Sequence, residues 1–203
     1  MRKCSFPGCD RKHKAHGYCD AHRSQLRHRG SIGPLKGARV FNQSVIRDGK
    51  LCVLAKRGRA GYVEFFVDLS DKDILTGSTW AVNSEGYVES GSGVALHSLL
   101  MPRVPGKVVD HKDRNPLNNC RSNLRYATPA ESSYNTGIKK TNTSGYKNVT
   151  WEKSAWLAYI GYRRRFIRIG RFQDPVEAAK AYDKVAVELH GEFAVTNAML
   201  GLV

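Results

Sequence analysis

The sequence predicts an α+β fold assembled from small modules rather than around one large core. Three observations lead to this prediction. The N-terminus is rich in cysteine and histidine, short strand-like runs lead into a strand–loop–strand–helix segment, and the C-terminus reads as three strands followed by one amphipathic helix. We therefore expect an N-terminal metal-binding knuckle, a small β meander leading into the strand–loop–strand–helix site, and a three-stranded antiparallel sheet packed on one helix.

The chain is strongly basic, which points to a polyanionic partner. Its 203 residues include 33 Lys plus Arg and 18 Asp plus Glu, a formal net charge of +15. This balance favours a nucleic acid as the partner, and a basic structural protein such as a ribosomal subunit is the alternative. The apolar runs are too short to span a bilayer and the N-terminus lacks a hydrophobic signal core, so we expect a cytoplasmic protein with no membrane partner.

Four soft or borderline metal ligands stand in the first 22 residues, arranged as two knuckle-like pairs. They are Cys4, Cys9, Cys19 and His22. This is the ligand set of a tetrahedral structural Zn²⁺ site. A segment this short has almost no core, so metal binding would supply its folding energy. We predict a zinc-binding module, a zinc knuckle, over residues 1–30. His13 and His16 compete for the place of the fourth ligand, and a scatter of reduced thiols is the alternative.

A helix-compatible, cationic segment follows the knuckle. Arg27 and Arg29 lie in it and are predicted to contact DNA phosphates, with an RNA-directed role of the basic N-terminus as an alternative. The turn-rich segment 30–37 is the predicted first linker. Cys52 and Cys120 stand alone in other segments, and we expect them to be ordinary reduced thiols.

Short runs with a period of two, separated by turn signals, predict a small antiparallel meander after the linker. The predicted strands cover residues 51–55, 62–67, 79–82 and 87–89. A short helix is expected at 96–101, ended by Pro102. His97 lies in this helix and is expected to be packed or solvent-facing, with a phosphate contact as the alternative.

The Asp110-His111 pair carries the residue types that phosphodiester hydrolysis needs. It places a carboxylate, which can ligate a divalent metal, beside an imidazole, which can take a proton from water. Amide side chains follow within thirty positions, at Asn123 and Asn135. The combination predicts a nuclease.

Local signals also place this pair in a defined order of elements. A short strand is predicted at 107–111, ending on the pair, and a returning strand at 124–127. Thr128 and Glu131 have the spacing of a capping box, with a proline between them at the first helical position. A helix should therefore start there.

This segment resembles the HNH endonucleases, whose ββα-metal fold forms a site for one divalent ion. The resemblance is carried by Asp110-His111, Asn118-Asn119, Asn123-Leu124-Arg125, Ala127-Thr128 and Asn135. It implies an HNH nuclease domain over residues 38–137 with its ββα-metal core at 106–137. By the same resemblance, Asp110 would ligate Mg²⁺ or another divalent ion, His111 would be the general base, and Asn123 would orient the His111 ring.

One position departs from the family pattern. The family's second metal ligand, Asn or His, falls nine residues after the residue that matches Asn123, and this chain has Ser132 there. Asn135 lies one turn further along the same helical face, so either Ser132 or Asn135 would complete the site. Ser132 also motivates the alternative function, a DNA-binding protein on a nuclease scaffold with a decayed metal site.

The last sixty residues predict a separate module. Three strand-like runs precede a helix at 176–189 that Asp174-Pro175 opens, and the helix carries one apolar stripe that can pack on the sheet. The other face of the sheet should then carry cations and aromatic rings, the side chains of a DNA-contacting surface. These are Arg163, Arg164, Arg165, Arg168 and Arg171, with Trp151, Trp156, Tyr159 and Tyr162.

This module resembles the Apetala-type, or ethylene-response-factor, DNA-binding domain. The residues that carry the resemblance are Gly145 to Val149, Trp156, Ala158, Ile160, Ile169-Gly170, Phe172, Glu177 to Ala179, Ala181 to Asp183, Gly191 to Ala194 and Asn197. It implies a domain over residues 145–198, joined through a linker at 138–144. The DNA-contacting candidates that it implies are Thr150, Glu152, Tyr159, Gly161 and Arg168 in the major groove, with Arg163 and Arg165 at the turn.

An HNH segment followed by such a domain resembles the homing endonucleases of phages and mobile elements. We therefore predict a metal-dependent endodeoxyribonuclease that hydrolyses double-stranded DNA with His111 as the general base. Its cofactors would be Mg²⁺ or another divalent ion at the nuclease site and Zn²⁺ at the knuckle, with no small-molecule organic cofactor. We expect a monomer that acts in the cytoplasm, which is the host cytoplasm if a phage encodes it.

Overall fold

A computed structural model of the chain describes residues 3–6, 9, 11–13, 17–30, 32 and 42–203, without the side chains of Arg29 and Ala60. The chain divides into two units: residues 1–102 with 115–124, and residues 103–114 with 125–203. Most of the predicted linker at 30–37 lies outside the described residues. The domain boundaries expected from the sequence remain predictions.

The N-terminal helix α1 (Asp20–Arg29) begins directly after Cys19, which has extended backbone angles. It ends at Gly30, where φ is 66° and the amide donates to the carbonyl of Leu26. A glycine adopts this left-handed conformation at no steric cost, and the bond satisfies one of the last helical carbonyls. The helix predicted for this segment is confirmed.

Five strands form the sheet of the first unit. They are β1 (Ser44–Arg47), β2 (Lys50–Lys56), β3 (Tyr62–Asp68), β4 (Trp80–Val82) and β5 (Val88–Ser90). β2 pairs antiparallel with β1 and β3, and β4 pairs antiparallel with β5. The prediction of a purely antiparallel meander is wrong in one connection, because β4 lies parallel to β2 at Lys56 and Ala81. The segment 69–79, which contains a 3-10 helix, provides the crossover that parallel pairing requires.

Alternating apolar side chains bury one face of this sheet. Val53, Ala55, Phe65 and Val67 are at most 1% exposed. The short helix α2 (Leu96–Leu100) adds two further fully buried leucines. His97 packs against the Tyr87 ring, edge to face, with the ring centroids 5.4 Å apart. The expectation that His97 is a packed side chain is thus confirmed.

The loop 115–124 is held on β3 and on the 3-10 helix that follows it. The amide of Phe66 donates to Leu117 O and the amide of Asn119 donates to Phe66 O, both at 2.8 Å. The Arg121 guanidinium donates to the buried Asp71 carboxylate at 2.8 to 3.1 Å. This hydrogen bond with Asp71 raises the pKa of Arg121. The loop is therefore held by backbone pairing and by an ion pair with the buried Asp71 carboxylate.

The second unit begins with the predicted order of strand, loop, strand and helix. Strands β6 (Val108–His111) and β7 (Leu124–Ala127) form a two-stranded sheet, and α3 (Pro129–Tyr134) follows. The capping box is confirmed: the amide of Glu131 donates to Thr128 Oγ1 at 3.2 Å, and the amide of Thr128 donates to Glu131 Oε2 at 2.6 Å. Two amides that the first turn would otherwise leave unsatisfied are thus bonded.

The C-terminal segment forms the predicted three-stranded antiparallel sheet on one helix. The strands are β8 (Val149–Glu152), β9 (Ala155–Tyr162) and β10 (Arg165–Phe172), with β9 in the centre, and the helix is α4 (Pro175–His190). Asp174 caps α4 by accepting the amide of Val176 at 2.9 Å. Ala158, Ile160 and Tyr182 are fully buried in the core between them. No helix in the described part of the chain is long and apolar enough to cross a membrane.

A β-bulge interrupts the pairing of β10 with β9. Arg168 lies opposite Tyr159 but Gly170 lies opposite Ala158, so one extra residue, Ile169, is inserted in β10. A Cβ at Gly170 would lie 3.0 Å from the ring of Phe172, which explains why this position is a glycine. Bulges of this kind shift the alternation of side chains between the two faces of a sheet.

Candidate functional site

The carboxylate of Asp110 is the centre of a buried hydrogen-bond network at the end of β6. Its Oδ2 accepts hydrogen bonds from Arg125 Nε and from Asn135 Nδ2, both at 2.9 Å. Its Oδ1 accepts from Ser132 Oγ at 3.1 Å. Residues three apart lie on the same face of a helix, and the structure therefore brings both Ser132 and Asn135 to Asp110.

The donor set around Asp110 fits a hard divalent cation. A carboxylate offers about four acceptor positions, and the hydrogen bonds from Arg125, Ser132 and Asn135 leave one of them on Oδ1. The Ser132 hydroxyl and the amide oxygen of Asn135 add further oxygen atoms. Oxygen ligands with few carboxylates, completed by water and substrate phosphate, are typical of Mg²⁺ sites.

His111 follows Asp110 at the end of the strand and is buried. Its carbonyl accepts the second hydrogen of the Asn135 amide at 2.7 Å and the backbone amide of Arg114 at 2.9 Å. Asn135 thus ties the backbone of the proposed base to the carboxylate of the proposed metal ligand. Its position as the residue that ends α3 makes this possible.

Asn123 and Asn119 are both buried in the loop that precedes β7. The amide of Asn123 donates to Asn118 O at 2.8 Å, and that of Asn119 donates to Pro116 O at 3.0 Å. Asn119 therefore braces the loop. The orientation of the His111 ring by Asn123 remains a prediction.

Arg125 is a site residue to which the sequence assigned no role. Besides Asp110, its guanidinium donates to the carbonyl of Glu192 at 2.7 Å and to the Glu192 carboxylate at 3.3 Å. Its central carbon also lies 3.9 Å from the centroid of the Phe193 ring. The side chain is only 11% exposed. The sequence held one signal of such a role: Arg125 is a single cation between two apolar residues, Leu124 and Tyr126, in a predicted strand.

The C-terminal end of α3 packs on the last turn of α4. The rings of Tyr134 and His190 are stacked, with centroids 3.7 Å apart. His190 Nε2 donates to Gly161 O at 2.9 Å. Lys147 Nζ donates to Tyr134 O at 3.1 Å and to Thr136 O at 2.6 Å, which satisfies carbonyls at the end of the helix.

Both titratable groups at this contact have altered pKa values. Burial, reinforced by the charge of Arg114, lowers the pKa of Lys147 to about 8. Burial also lowers the pKa of His190, and the positive charge of Lys147 lowers it further. The hydrogen bond to Gly161 has the opposite effect but is outweighed. Each group is therefore easier to deprotonate than in water.

The predicted zinc ligands come together in the structure. The ligand atoms of Cys4, Cys9, Cys19 and His22 all lie within 4.8 Å of one another. Cys4 Sγ and Cys19 Sγ lie 3.2 and 3.4 Å from His22 Nδ1, and Cys9 Sγ lies 4.0 Å from Cys19 Sγ. Zn–S bonds of about 2.3 Å in a tetrahedron imply ligand separations of about 3.8 Å. The four side chains therefore fit a closed, structural Zn²⁺ site.

The electrostatics of the cysteines agree with a metal-binding role for at least Cys4. Burial opposes its ionisation, but hydrogen bonds from the backbone at Cys19 and Phe6 and from neighbouring thiols bring its pKa below the usual value. The rival ligand His13 accepts the amide of Gly17 through Nε2 at 2.8 Å and is not part of the cluster. His16 lies outside the described residues.

The remaining residues predicted from the sequence in the first unit are Cys52, Cys120, Arg27 and Arg29. Cys52 and Cys120 are buried cysteines outside any disulfide, as expected, and burial raises the pKa of Cys52 to about 11. Arg27 is exposed on α1. The side chain of Arg29 is outside the description.

The predicted groove-facing residues share the face of the sheet that is turned away from α4. Val149 and Ala158 are opposite one another in the core under the helix. Side chains alternate along a strand, and the register therefore puts a second set on the other face. That set is Thr150, Glu152, Tyr159, Gly161 and Arg168; Arg165, paired with Tyr162, is exposed next to the hairpin turn.

Charges and rings on this sheet are partly paired with one another. Glu152 lies 3.5 Å from Arg168 and 2.7 Å from Arg171. The Tyr159 and Phe166 rings are stacked, with centroids 4.8 Å apart. At the hairpin turn, Arg163 has a φ of 48° and its guanidinium lies 5.1 Å from the Tyr162 ring centroid.

The segment that carries the Asp110 network matches a known protein family. Residues 99–134 match the model of an HNH endonuclease family. This stretch includes Asp110, His111, Asn123 and Ser132, and it ends one residue before Asn135. The match therefore covers most of the candidate site.

Similar proteins extend the likeness to most of the chain. An uncharacterized HNH endonuclease of Acanthamoeba polyphaga mimivirus is 30% identical over 152 residues, 71% of this chain and 79% of that protein. Protein 3.8 of Escherichia phage T7 is 38% identical over 98 residues, 46% of this chain and 78% of that protein. An ethylene-responsive transcription factor of Arabidopsis thaliana is 33% identical over 95 residues, 44% of this chain and 58% of that protein. No solved structure matches the chain. The chain therefore belongs to the HNH endonuclease family.

Proposed function

We propose that this protein is a metal-dependent endonuclease that hydrolyses phosphodiester bonds of double-stranded DNA. One observation carries the proposal beyond family membership. A buried carboxylate, Asp110, adjoins His111 at the end of β6 and is hydrogen-bonded to Ser132 and Asn135 on α3. This arrangement joins a metal ligand, its candidate partners and a candidate base within one small segment.

Each residue of the site has a distinct role in this proposal. Asp110 holds Mg²⁺ or a similar ion with oxygen atoms of Ser132 or Asn135. The bound ion supplies charge neutralisation at the phosphate and at the leaving oxygen. Neutral His111 accepts a proton from the attacking water, and Asn123 orients its ring. The expected products carry 3′-hydroxyl and 5′-phosphate ends.

The C-terminal sheet is proposed to be an Apetala-type DNA-binding domain, with the zinc knuckle as a second contact. The partial similarity to a plant transcription factor supports this, as does the net charge of +15. Arg163 and Arg164 occupy left-handed turn positions, with φ of 48° and 62°, where Asn and Gly are preferred. Because arginine is not the residue that this turn conformation favours, its presence at both positions supports a functional role.

The test is the nicking of supercoiled plasmid in Mg²⁺ and its loss in EDTA. His111→Ala should abolish cutting and leave DNA affinity within about twofold, because only a proton acceptor is lost. His28→Ala, which removes an exposed imidazole of α1, is the matched control and should cut like the wild type. Equal loss of cutting and of binding in His111→Ala would reject the role of His111 as general base.

The second candidate is a DNA-binding protein on a nuclease scaffold with a decayed metal site, which the serine at position 132 favours. It predicts that the wild type binds DNA but leaves plasmid supercoiled in Mg²⁺. It also predicts that Ser132→Asn produces nicking. Metal-dependent nicking by the wild type would exclude this candidate.

A further inference from the structure

A cavity of about 720 Å³ lies in the second unit, between α3 and the β9–β10 hairpin. Four cationic side chains line it and no acidic one does, among the residues that the structure describes. They are Lys139, Lys147, Arg164 and Arg165. Such a lining favours an anionic ligand. The volume is within the range of about 300 to 1,000 Å³ that is typical of small-ligand sites.

Aromatic rings supply the other half of the lining. The stacked pair of Tyr159 and Phe166 lies at the cavity, as does Tyr134 on α3. Phe166 is 60% exposed, so its ring is accessible to a ligand in the cavity. Rings next to cations are the side chains that bind unpaired bases, because every base has a π-face that can stack.

The hairpin turn adds an independent observation. Arg164 reaches the cavity from a position with φ of 62°, a conformation that costs a non-glycine residue free energy. Glycine or asparagine would form this turn more easily. The strain is therefore tolerated at a residue that contributes charge to the cavity.

The cavity also adjoins the nuclease site through α3. Ser133 and Tyr134 line it, and their helical neighbours Ser132 and Asn135 contact Asp110. One short helix thus presents adjacent faces to the carboxylate and to the cavity. A strand held near Asp110 would pass close to the cavity.

We propose that this cavity binds one unpaired nucleotide of the DNA strand that the enzyme cuts, displaced from the duplex near the scissile phosphate. The proposal rests on the proposed function, since it takes DNA as the substrate. Its base would stack on Phe166 and Tyr159, and its phosphate would lie against Arg164, Arg165 and Lys139. Unstacking a base costs free energy, and it costs least where the base has no partner. The protein should therefore prefer DNA that already contains an unpaired nucleotide.

The experiment compares two DNA duplexes on the full-length protein in buffer without added Mg²⁺. One duplex contains a single unpaired 2-aminopurine nucleotide, and the other is identical but fully paired. We expect about tenfold tighter binding of the first, with quenching of its fluorescence by stacking. Phe166→Ala should remove this preference and change the affinity for the paired duplex by less than about twofold. Trp151→Ala, which removes a 55% exposed ring outside the cavity, should keep the preference.

Three results would overturn the proposal. Equal wild-type affinity for the two duplexes would show that the cavity does not take an unpaired nucleotide. Equal weakening of both duplexes by Phe166→Ala would make Phe166 an ordinary duplex contact. Binding of free deoxyadenosine monophosphate as tightly as the unpaired duplex would assign the cavity to a mononucleotide. If the protein cuts plasmid but binds the two duplexes equally, only the cavity proposal is rejected. If it neither cuts plasmid nor binds either duplex, the proposed function is rejected as well.

Discussion

Arg125 Nε lies 2.9 Å from Asp110 Oδ2, and both side chains are about nine-tenths buried. The other end of the same guanidinium is fixed by Glu192 and the Phe193 ring. The proposed metal ligand is therefore held by a residue that is itself anchored on the segment after α4. The C-terminal segment therefore contributes to the position of Asp110 as well as to the proposed DNA-binding domain.

Replacement of Arg125 should destabilise the folded protein. Arg125→Ala leaves the Asp110 carboxylate buried without its cation, and loss of one partner of a buried pair costs about 3 kcal/mol. We expect a matching decrease in the free energy of unfolding in urea. Arg168→Ala, which breaks an exposed pair with Glu152, should cost less than about 1 kcal/mol. Unchanged stability of Arg125→Ala would contradict the structural role.

The relative importance of Ser132 and Asn135 follows from their contacts. Asn135 makes two buried hydrogen bonds, to Asp110 and to His111 O, whereas Ser132 makes one to Asp110. At about 1 kcal/mol for each bond, Asn135→Ala should destabilise the protein by about 2 kcal/mol and Ser132→Ala by about 1. Urea denaturation measures this. Mg²⁺ titration of the same variants then tells which side chain binds the ion, and Ser133→Ala is the control. A larger effect of Ser132→Ala on both measurements would assign the second ligand to Ser132.

Removal of zinc should unfold the knuckle and leave the rest folded. Cys19→Ser replaces a thiolate ligand, so we expect loss of one equivalent of zinc in a metal-release assay and loss of protection from proteolysis around residues 3–30. Cys120→Ser, at an equally buried cysteine outside the cluster, should retain the metal. Full zinc content in Cys19→Ser would refute the assigned ligand set.

The stability of the second unit should decrease in acid because of His190. Its Nε2 donates to Gly161 O, and its Nδ1 is buried with no hydrogen-bond partner in the described part of the chain. Protonation of Nδ1 would place an unpaired charge in the core, next to Lys147, and the pKa is accordingly below 6.5. The unfolded chain takes up this proton near its ordinary pKa and the folded chain only at lower pH. The contribution of His190 to the free energy of unfolding should therefore be constant above about pH 6.5 and fall as the pH decreases below that value.

Urea denaturation between about pH 5 and pH 7.5 measures this dependence. His190→Gln keeps a donor toward Gly161 without a titrating ring, and it should flatten the curve in this range. The same change at the exposed His28 is the control and should leave the slope as in the wild type. A slope that persists in His190→Gln would assign the pH dependence to another group.

Locally encoded features were the ones that the sequence predicted well. The clustering of Cys4, Cys9, Cys19 and His22, the capping box at Thr128 and the helix opened by Asp174 each depend on residues close in sequence, and each is confirmed in the structure. Spacing fixes such features because helix geometry and metal coordination act over short distances. The groove-facing set, which the resemblance to the Apetala-type domain implied, stays a prediction, although the alternation of side chains along the strands places its members on one face of the sheet.

Features that join distant parts of the chain were missed. Arg125 and Glu192 are 67 positions apart, and nothing in the pattern around either residue names the other. The contacts of Lys147 with Tyr134 O and Thr136 O were also not predicted, because a buried lysine has no sequence signature. The parallel pairing of β4 with β2 depends on the path of the intervening segment, which periodicity does not encode.

Ile169 forms a β-bulge that shifts the alternation of side chains within β10. In a regular strand, residues 168 and 171 would be three apart and would point to opposite sides of the sheet. Because the bulge takes Ile169 out of the pairing, Arg168 and Arg171 both reach Glu152, and Phe172 returns to the core under α4. A regular pairing that kept Ile169 in register would turn Arg171 toward the helix and Phe172 toward solvent while the net charge stayed the same, whereas deletion of Ile169 would remove the bulge and leave both side chains on their present faces. The electrostatic character of this surface thus depends on how the backbone of β10 accommodates one extra residue as much as on its composition.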